Sequence, residues 1–299
     1  KHFAAYGAPF GGRDYNTVDI SERTLSEVYL PPYKAAVDAG VLSVMSSFNE
    51  LDAMPCTANK KLLTQLLKDE WGFKGFVVSD WQSVKELTAH GIAKNEAHAA
   101  ELALKAGLDM DMQSGVFSKN LKKLVTDNLI EEQQINDAVK RILRAKYLLG
   151  LFNNPYLYID KERQQEITAS QEIMDFALLE AKKSIVLLKN ENYNNSKLLP
   201  LKKNIRRIAL IGPLANDRIN LLGSWHGNAD TSNVKTILES LSEKLPNTNV
   251  EYTQGASFIG NDRSNFSKAI QSAQKSDIVI CVVGENNALS GEAASRSNI

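Results

Sequence analysis

Residues 75–81 read GFVVSDW, and this stretch decides how the rest of the chain is interpreted. Its apolar, β-branched beginning is typical of a strand in a parallel sheet that is covered on both faces. Asp80 comes directly after this strand, and a helical pattern follows it. Because active sites of parallel α/β folds lie at the carboxyl ends of the strands, Asp80 is a candidate catalytic carboxylate. The local pattern leaves an alternative open, in which Asp80 only caps the next helix.

Helices and strands alternate on both sides of this stretch through the first half of the chain. Helices are predicted at residues 21–40 (interrupted at Pro31-Pro32), 58–71, 95–106, 117–127 and 131–149. Strands are predicted around residues 1–4 and at 41–45, 75–80 and 107–112. Strict alternation indicates a parallel α/β domain. Four strands are about half of the eight in a closed barrel, which predicts that the chain is a portion of a longer protein.

A second α/β domain is predicted toward the end of the chain. Its strands are expected at residues 185–188, 208–212 and 278–284, with helices near 234–244 and 264–275. The continuous apolar character of these strands again suits a sheet that is covered on both faces. A mixed-charge helix at 169–182 leads into this domain. We therefore expect domains over residues 1–152 and 184–299, joined by a linker with a helix at 153–183.

Composition and charge exclude several classes of function. The 35 Lys and Arg residues balance 35 Asp and Glu residues among 299, so no nucleic-acid partner is expected. No apolar run approaches the ~20 residues that span a bilayer. The four histidines lack metal-ligand spacing, and no phosphate-binding glycine motif follows a strand, so neither a metal nor another cofactor is expected. Cys56 and Cys281 fall in different predicted domains, so a disulfide between them is not expected.

Five short motifs, taken in order along the chain, carry a family resemblance. They are Lys1-His2-Phe3, Gly72-Phe73-Lys74-Gly75, Ser79-Asp80-Trp81, Ser184-Ile185-Val186-Leu187-Leu188-Lys189-Asn190 and Gly291-Glu292-Ala293-Ala294-Ser295-Arg296. With these motifs the chain resembles glycoside hydrolase family 3 over essentially its whole length, and its bacterial periplasmic β-glucosidase branch in particular. The resemblance implies the C-terminal half of a (β/α)8-type barrel followed by part of an α/β sandwich, with the active site at their junction. It also implies a periplasmic or secreted protein.

The resemblance further implies a retaining hydrolase that acts on β-glucosides or oligosaccharides through two carboxyl groups. Asp80 matches the nucleophile of the family, and Glu292 lies where the β-glucosidase branch carries its general acid/base. Lys1 and His2 match a pair that binds sugar hydroxyls, and Trp81 matches a wall of the subsite for the cleaved sugar. Further substrate-binding candidates are Phe48, Asp14, Met112 and Trp225.

These residue types suit the chemistry of retaining hydrolysis. The mechanism uses two carboxyl groups roughly 5–5.5 Å apart. One is ionised and attacks the anomeric carbon, while the other holds a proton for the leaving oxygen and therefore needs a raised pKa. A lysine such as Lys1, if close to Asp80, would help to keep that carboxylate charged. Trp81 offers a flat apolar surface for the C–H face of a pyranose.

Several of these residues also have a purely structural interpretation. Glu292 alone could be a solvated surface charge and Trp81 a core residue. Asp109 could be a satisfied buried carboxylate, with either Asp111 or Met112 facing the site. Trp225, on a glycine-flanked loop, could close over a sugar or anchor its own loop.

Other functions are weighed against the same residues. The N-acetylhexosaminidase branch of the family uses a histidine shortly after the Lys-His pair, and Tyr6 stands at that place, so this branch is disfavoured. β-Xylosidase and α-arabinosidase activities remain open because they use the same carboxylate pair. A non-catalytic sugar-binding fragment is disfavoured because binding alone needs neither Asp80 nor Glu292. The oligomeric state, including a homodimer, is left open.

Overall fold

A computed structural model of the chain describes residues 1–193 and 195–296. The chain divides into two compact units, Lys1–Gln165 and Glu166–Ile299. Each unit contains a parallel sheet with helices between its strands, which is the α/β class that the sequence predicts. The domain boundaries expected at residues 152 and 184 stay predictions.

The first unit is built from short strands and longer helices. Its strands are β1 (Ser43–Met45), β2 (Glu50–Leu51), β3 (Met54–Pro55) and β4 (Phe76–Val78). Its helices are α1 (Glu22–Thr24), α2 (Pro31–Asp38), α3 (Ser83–Glu86), α4 (Glu96–Ala106), α5 (Val116–Thr126), α6 (Glu132–Leu148) and α7 (Lys161–Ile167), with π-helical segments at Leu25–Tyr29 and Lys61–Glu70. The helices predicted for this region are thus confirmed to within a few residues.

Local sequence signals explain where these helices begin. The Ser21 hydroxyl accepts the Thr24 N–H ahead of α1, as its position predicts. The Asn95 side chain caps α4 in the same way by accepting the His98 N–H. Proline at the start of α2 needs no hydrogen-bond donor there, so Pro31-Pro32 separates two helical pieces without breaking either.

The central sheet of this unit places four segments side by side. Strands β1 and β4 are parallel neighbours, with Val44 opposite Val77. Single bridges extend the sheet on both sides, from Phe3 to Ser46 and from Met110 to Val78. Across the sheet, the parallel segments are ordered as follows: the segment containing Phe3, strand β1, strand β4, and the segment containing Met110. Their carboxyl ends meet at one edge, which is where Asp80 lies.

The full strand predicted over residues 107–112 is wrong, as is a regular strand over 1–4. Each region contributes one bridge only. At 107–112 the reason is the Asp109 side chain, whose Oδ2 accepts the Val77 N–H at 2.8 Å. The amides of Asp109 and Met110 both turn to the Val77 carbonyl. A carboxylate thus replaces the main-chain partner that a regular ladder would supply.

The second unit is organised around a three-stranded parallel sheet. Its elements are α8 (Gln171–Ser184), β5 (Asn192–Tyr193), β6 (Ser196–Lys197), β7 (Arg207–Ile211), α9 (Ile237–Lys244), β8 (Asn249–Thr253), α10 (Phe266–Gln274) and β9 (Ile278–Cys281). The strand order is β8-β7-β9. Ile208, Ala209 and Leu210 of the central strand are fully buried. The strand predicted at 208–212 is confirmed with a shift of one residue, and the elements predicted at 278–284, 234–244 and 264–275 are confirmed with shorter bounds.

Three features of this unit differ from the expectations. The strand predicted at 185–188 is wrong, because this apolar run is exposed and pairs with no strand in the described part of the chain; Leu188 is 91% exposed. Apolar character indicates burial but does not supply a pairing partner. Neither strand β8 nor the short β5–β6 ladder was predicted.

Two general properties of the described residues bear on function. None of their helices is both long and apolar enough to cross a membrane. They also contain no cluster of three or more His, Cys, Asp or Glu side chains that could hold a metal ion. Cys56 and Cys281 are both free thiols, the first buried and the second exposed.

Candidate active site

The Asp80 carboxylate lies just past the end of β4 and is nearly buried, with 8% of the residue exposed. Its Oδ1 accepts the Trp81 N–H at 2.7 Å. Its Oδ2 lies 3.5 Å from Nε2 of His2 and has no hydrogen-bond donor among the described residues. The helix that follows, α3, has Gln82 at its N-cap and no side-chain cap, so capping by Asp80 is wrong. One oxygen is therefore fixed by the backbone while the other faces an imidazole.

His2 directly precedes Phe3, which bridges Ser46 just past the end of β1, and its ring comes within 3.5 Å of the Asp80 carboxylate. Lys1 is exposed, and the His2 side chain is 30% exposed. The Tyr33 hydroxyl donates to the His2 carbonyl and ties this end of the chain to α2. The structure thus brings His2 within 3.5 Å of Asp80, whereas Lys1 is an exposed residue.

A cluster of aromatic rings lies beside His2. The ring of Tyr6 is centred 5.2 Å from the His2 ring and 6.1 Å from the Phe48 ring, and Tyr15 meets Phe48 edge-on at 4.8 Å. Phe48 is only 6% exposed, so it acts mainly through this packing. Burial raises the pKa of the Tyr6 hydroxyl, and the nearby Asp14 carboxylate raises it further. Asp14, a sequence-predicted site residue, is therefore close to Tyr6 in this cluster.

Trp81 and Met112 belong to the two segments next to Asp80. Trp81 is 53% exposed, which disfavours its interpretation as a core residue and leaves the indole open to a ligand. Met112 is half-buried, and its backbone is tied to the same segment: its N–H donates to the Ser79 hydroxyl and its carbonyl accepts the Gln82 N–H. The Asp111 carboxylate accepts hydrogen bonds from Ser114 and Phe117, so it organises the start of α5.

Asp109 is a buried carboxylate that holds β4 in place. Its side chain has no exposed surface. Besides the Val77 N–H, it accepts from Nζ of Lys68 at 3.0 Å and from the Arg141 guanidinium at 2.8 Å. Burial lowers the pKa of Lys68, and the Asp109 carboxylate opposes that shift. The structural interpretation of Asp109 is thus confirmed, and its ion pairs connect two helical segments to the strand that carries Asp80.

Glu86 is a titratable group near Asp80 that the sequence analysis did not single out. It ends α3, six residues after Asp80. Burial raises the pKa of Glu86; His90 opposes this shift and the Asp80 carboxylate adds to it. His90 in turn lies 2.8 Å from a carboxylate oxygen of Glu50. The four-residue spacing of Glu86 and His90 was the signal that could have found this group, since such residues share a helix face.

The second unit carries the remaining two candidates on adjacent loops. Glu292 is exposed and lies on a loop after β9, and Trp225 is 74% exposed on a loop after β7. Gly291 has φ +100°, and a Cβ added to it would lie 3.8 Å from the indole Nε1 of Trp225. The structure therefore brings the Trp225 side chain next to the residue that precedes Glu292.

A cleft of about 930 Å³ in the first unit contains none of the sequence-predicted site residues. It is lined by residues of α1, the π-helical segments and the β2–β3 turn, including Leu25, Leu62 and Leu66. None of its lining residues is a carboxylate at the carboxyl end of a parallel strand, as Asp80 is. The chemistry therefore points to the strand ends rather than to this cleft.

Comparison with known proteins identifies the family. Residues 1–145 match the glycosyl hydrolase family 3 N terminal domain, and residues 185–299 match the glycosyl hydrolase family 3 C-terminal domain. The chain belongs to glycosyl hydrolase family 3.

Individual relatives carry two kinds of name. All of this chain aligns at 37% identity with 42% of a periplasmic β-glucosidase from Salmonella typhimurium, and at 39% identity with 43% of a β-xylosidase from Formosa agariphila. The structure is similar to that of a β-glucosidase from Listeria innocua in complex with glucose, with a TM-score of 0.88, 36% identity, and coverage of 99% of this chain and 39% of that one. The chain thus spans about two fifths of the length of these curated relatives.

Proposed function

We propose that the protein is a retaining, exo-acting β-glucosidase that hydrolyses terminal non-reducing β-D-glucosyl residues by a double displacement. The observation that carries this proposal is the geometry of Asp80. Its carboxylate stands at the carboxyl end of a parallel strand, with one oxygen fixed by the Trp81 N–H and the other beside His2. A carboxylate held in this way is oriented for attack before substrate arrives.

The proposed reaction assigns each carboxyl group one role per step. Asp80 attacks the anomeric carbon and forms a glycosyl ester, while Glu292 transfers its proton to the departing oxygen. A water molecule then attacks the same carbon, Glu292 accepts its proton, and the Asp80 carboxylate is released. The nucleophile attacks as a carboxylate, and Oδ2 of Asp80 lies 3.5 Å from Nε2 of His2.

The other site residues bind the sugar in this proposal. Lys1 and His2 donate hydrogen bonds to sugar hydroxyls, and the exposed Trp81 indole receives the apolar face of the ring. Asp14, Phe48, Met112 and Trp225 line the subsite or support it. The proposed partner is a β-glucoside or oligosaccharide, and a homodimer stays a prediction.

The sugar specificity has a second candidate. β-Xylosidase or α-arabinosidase activity uses the same two carboxyl groups, and a relative of this chain carries the name β-xylosidase at 39% identity. The periplasmic β-glucosidase name of another relative supports the glucoside and also a periplasmic or secreted location. A non-catalytic sugar-binding fragment is the third candidate, and it would have no use for a nucleophile held as Asp80 is held.

A panel of aryl glycosides separates these candidates. The full-length gene product is assayed with 4-nitrophenyl β-glucoside, β-xyloside, α-arabinoside, β-galactoside and N-acetyl-β-glucosaminide. We expect the highest kcat/KM on the glucoside. A preference for the xyloside or arabinoside would replace the proposed specificity, and binding of glucose without turnover of any substrate would leave only the sugar-binding function.

A further inference from the structure

The loop that carries Glu292 is fixed by a serine from another loop. We infer that Ser224 is a positioning residue for Glu292, acting through the backbone of residues 287–291. This inference rests on the proposed role of Glu292 as general acid/base. It concerns contacts within the second unit only.

The Ser224 hydroxyl makes three close contacts with the Glu292 loop. Its Oγ lies 3.0 Å from the Asn287 carbonyl oxygen, 2.9 Å from the Ser290 carbonyl oxygen and 3.0 Å from the Ser290 hydroxyl. The single proton of Ser224 is shared between the two carbonyls, so Oγ is free to accept from the Ser290 hydroxyl. One small side chain thereby closes the loop from position 287 to position 290.

Gly291 shows how closely the two loops approach. A Cβ added to it would lie 2.9 Å from the Cβ of Ser224, a distance that real side chains essentially never show. Its φ of +100° also favours glycine. Because Gly291 directly precedes Glu292, the Ser224 contact lies one residue away from the proposed acid.

A second tie holds the same loop from residues 217–220. Oδ1 of Asn220 accepts the Asn287 N–H at 2.8 Å. Asn220 is itself held, since its backbone and side-chain N–H groups each donate to the Asp217 carboxylate at 2.8 Å. The far end of the loop is closed by Arg296, which pairs with Glu285 and donates to the Leu289 carbonyl.

These contacts matter because a general acid works only when its proton is within reach of the leaving oxygen. Displacement of a catalytic group by about 1 Å can cost roughly a hundredfold in rate. Glu292 is on an exposed loop, and the Ser224 and Asn220 ties fix the backbone of that loop directly before it. Loss of the Ser224 hydroxyl should therefore weaken proton donation while leaving the nucleophile intact.

The test is a comparison of leaving groups in the full-length gene product. For Ser224→Ala we expect kcat/KM to fall about tenfold on phenyl β-glucoside, which needs the acid, and by less than about twofold on 2,4-dinitrophenyl β-glucoside, which does not. Asn220→Ala should show the same leaving-group pattern, and it serves if Ser224→Ala does not fold. Ser257→Ala is the matched control, because its exposed hydroxyl bonds only the Ile259 carbonyl within its own loop, and it should leave both rates unchanged.

The outcomes separate a failure of the inference about Ser224 from a failure of the proposed role of Glu292. Glu292→Ala should show a larger version of the same pattern, with azide restoring turnover of the activated substrate. If Glu292→Ala behaves in this way but Ser224→Ala and Asn220→Ala lose both activities equally, or neither, the inference is wrong and the proposed function stands. If Glu292→Ala itself shows no dependence on the leaving group, the acid is another residue and both fail.

Discussion

Glu292 is proposed to donate a proton to the leaving oxygen in the first step and to accept one from water in the second. Glu292→Ala should reduce kcat/KM on phenyl β-glucoside by at least about a hundredfold, because general acid catalysis contributes about that much. The loss on 2,4-dinitrophenyl β-glucoside should be much smaller, since that leaving group departs as a stable anion. Added azide should attack the glycosyl ester in place of the water that has lost its base, and a β-glucosyl azide should be isolated. Equal losses on both substrates without azide rescue would assign the acid to another carboxyl group.

Glu86 gives a residue-scale prediction about stability and pH. Its pKa in the folded protein lies above the ordinary value of 4.5, mainly because of burial. The folded state therefore binds the proton more tightly than the unfolded state, so this group stabilises the fold below pH 4.5 and that contribution is lost as the pH rises through the folded-state pKa. The isosteric Glu86→Gln substitution keeps the neutral form at every pH.

We expect the Tm of Glu86→Gln to exceed that of the wild type at pH 7 and to equal it below about pH 4, where Glu86 is neutral in both states. Thermal unfolding at the two pH values measures this directly. Glu70→Gln, an exposed glutamate in the same unit, is the control and should change the Tm little at either pH. A lower Tm for Glu86→Gln at pH 7 would mean that the ionised carboxylate stabilises the fold through His90 after all.

At the scale of elements, Asp109 determines how β4 is held. Asp109→Asn would leave Lys68 and Arg141 without their buried counter-charge, and breaking such a pair from one side costs about 3–5 kcal/mol. Chemical denaturation should show a loss of this size in the free energy of unfolding of the first unit. Arg141→Met should show part of it. Arg144→Met, three residues further along the same helix, should cost less than about 1 kcal/mol, because its hydrogen bond within the described part of the chain goes to the Lys74 carbonyl. An unchanged stability of Asp109→Asn would show that the cluster does not anchor the strand.

The same element shows where sequence interpretation succeeded and failed. Strand β4 was predictable because its residues are apolar and β-branched without interruption. The segment at 107–112 was not, because the pattern gives no sign that the Asp109 side chain takes the Val77 N–H from the ladder. Residues 185–188 have the pattern of a buried strand but are exposed, since pairing requires a partner strand that local pattern does not report. Strand β8 was missed although its residues alternate, because only Val250 and Tyr252 of its five residues are apolar.

The candidate site was predictable only where a short stretch of sequence marks it. Asp80 was found from its position after a strand, and the family resemblance supplied His2 and Glu292. The pairing of His2 with Asp80 joins residues 78 positions apart (80 − 2), and the contacts of Ser224 with Ser290 span 66 positions. No short-range pattern encodes such distances. Glu86 was overlooked because a glutamate in the first turn of a helix is common for reasons of the helix dipole alone.

The proposed double displacement uses Asp80 and Glu292 in the same chemical step. Their effects should therefore be strongly non-additive: once Asp80 is removed, removing Glu292 as well should cost little more, because the two groups act in the same step. Steady-state rates of the two single variants and the double variant measure this coupling. Independent, multiplicative losses would argue against a shared reaction.

Covalent labelling tests whether Asp80 is the nucleophile. The full-length gene product is incubated with an activated 2-deoxy-2-fluoro-glucoside, digested, and mapped by mass spectrometry. We expect a single fluoroglucosyl adduct on Asp80, no adduct in Asp80→Asn, and a turnover of that variant at least about a thousandfold below wild type with an unchanged Tm. An adduct on any other carboxylate, or full activity in Asp80→Asn, would show that Asp80 is not the nucleophile.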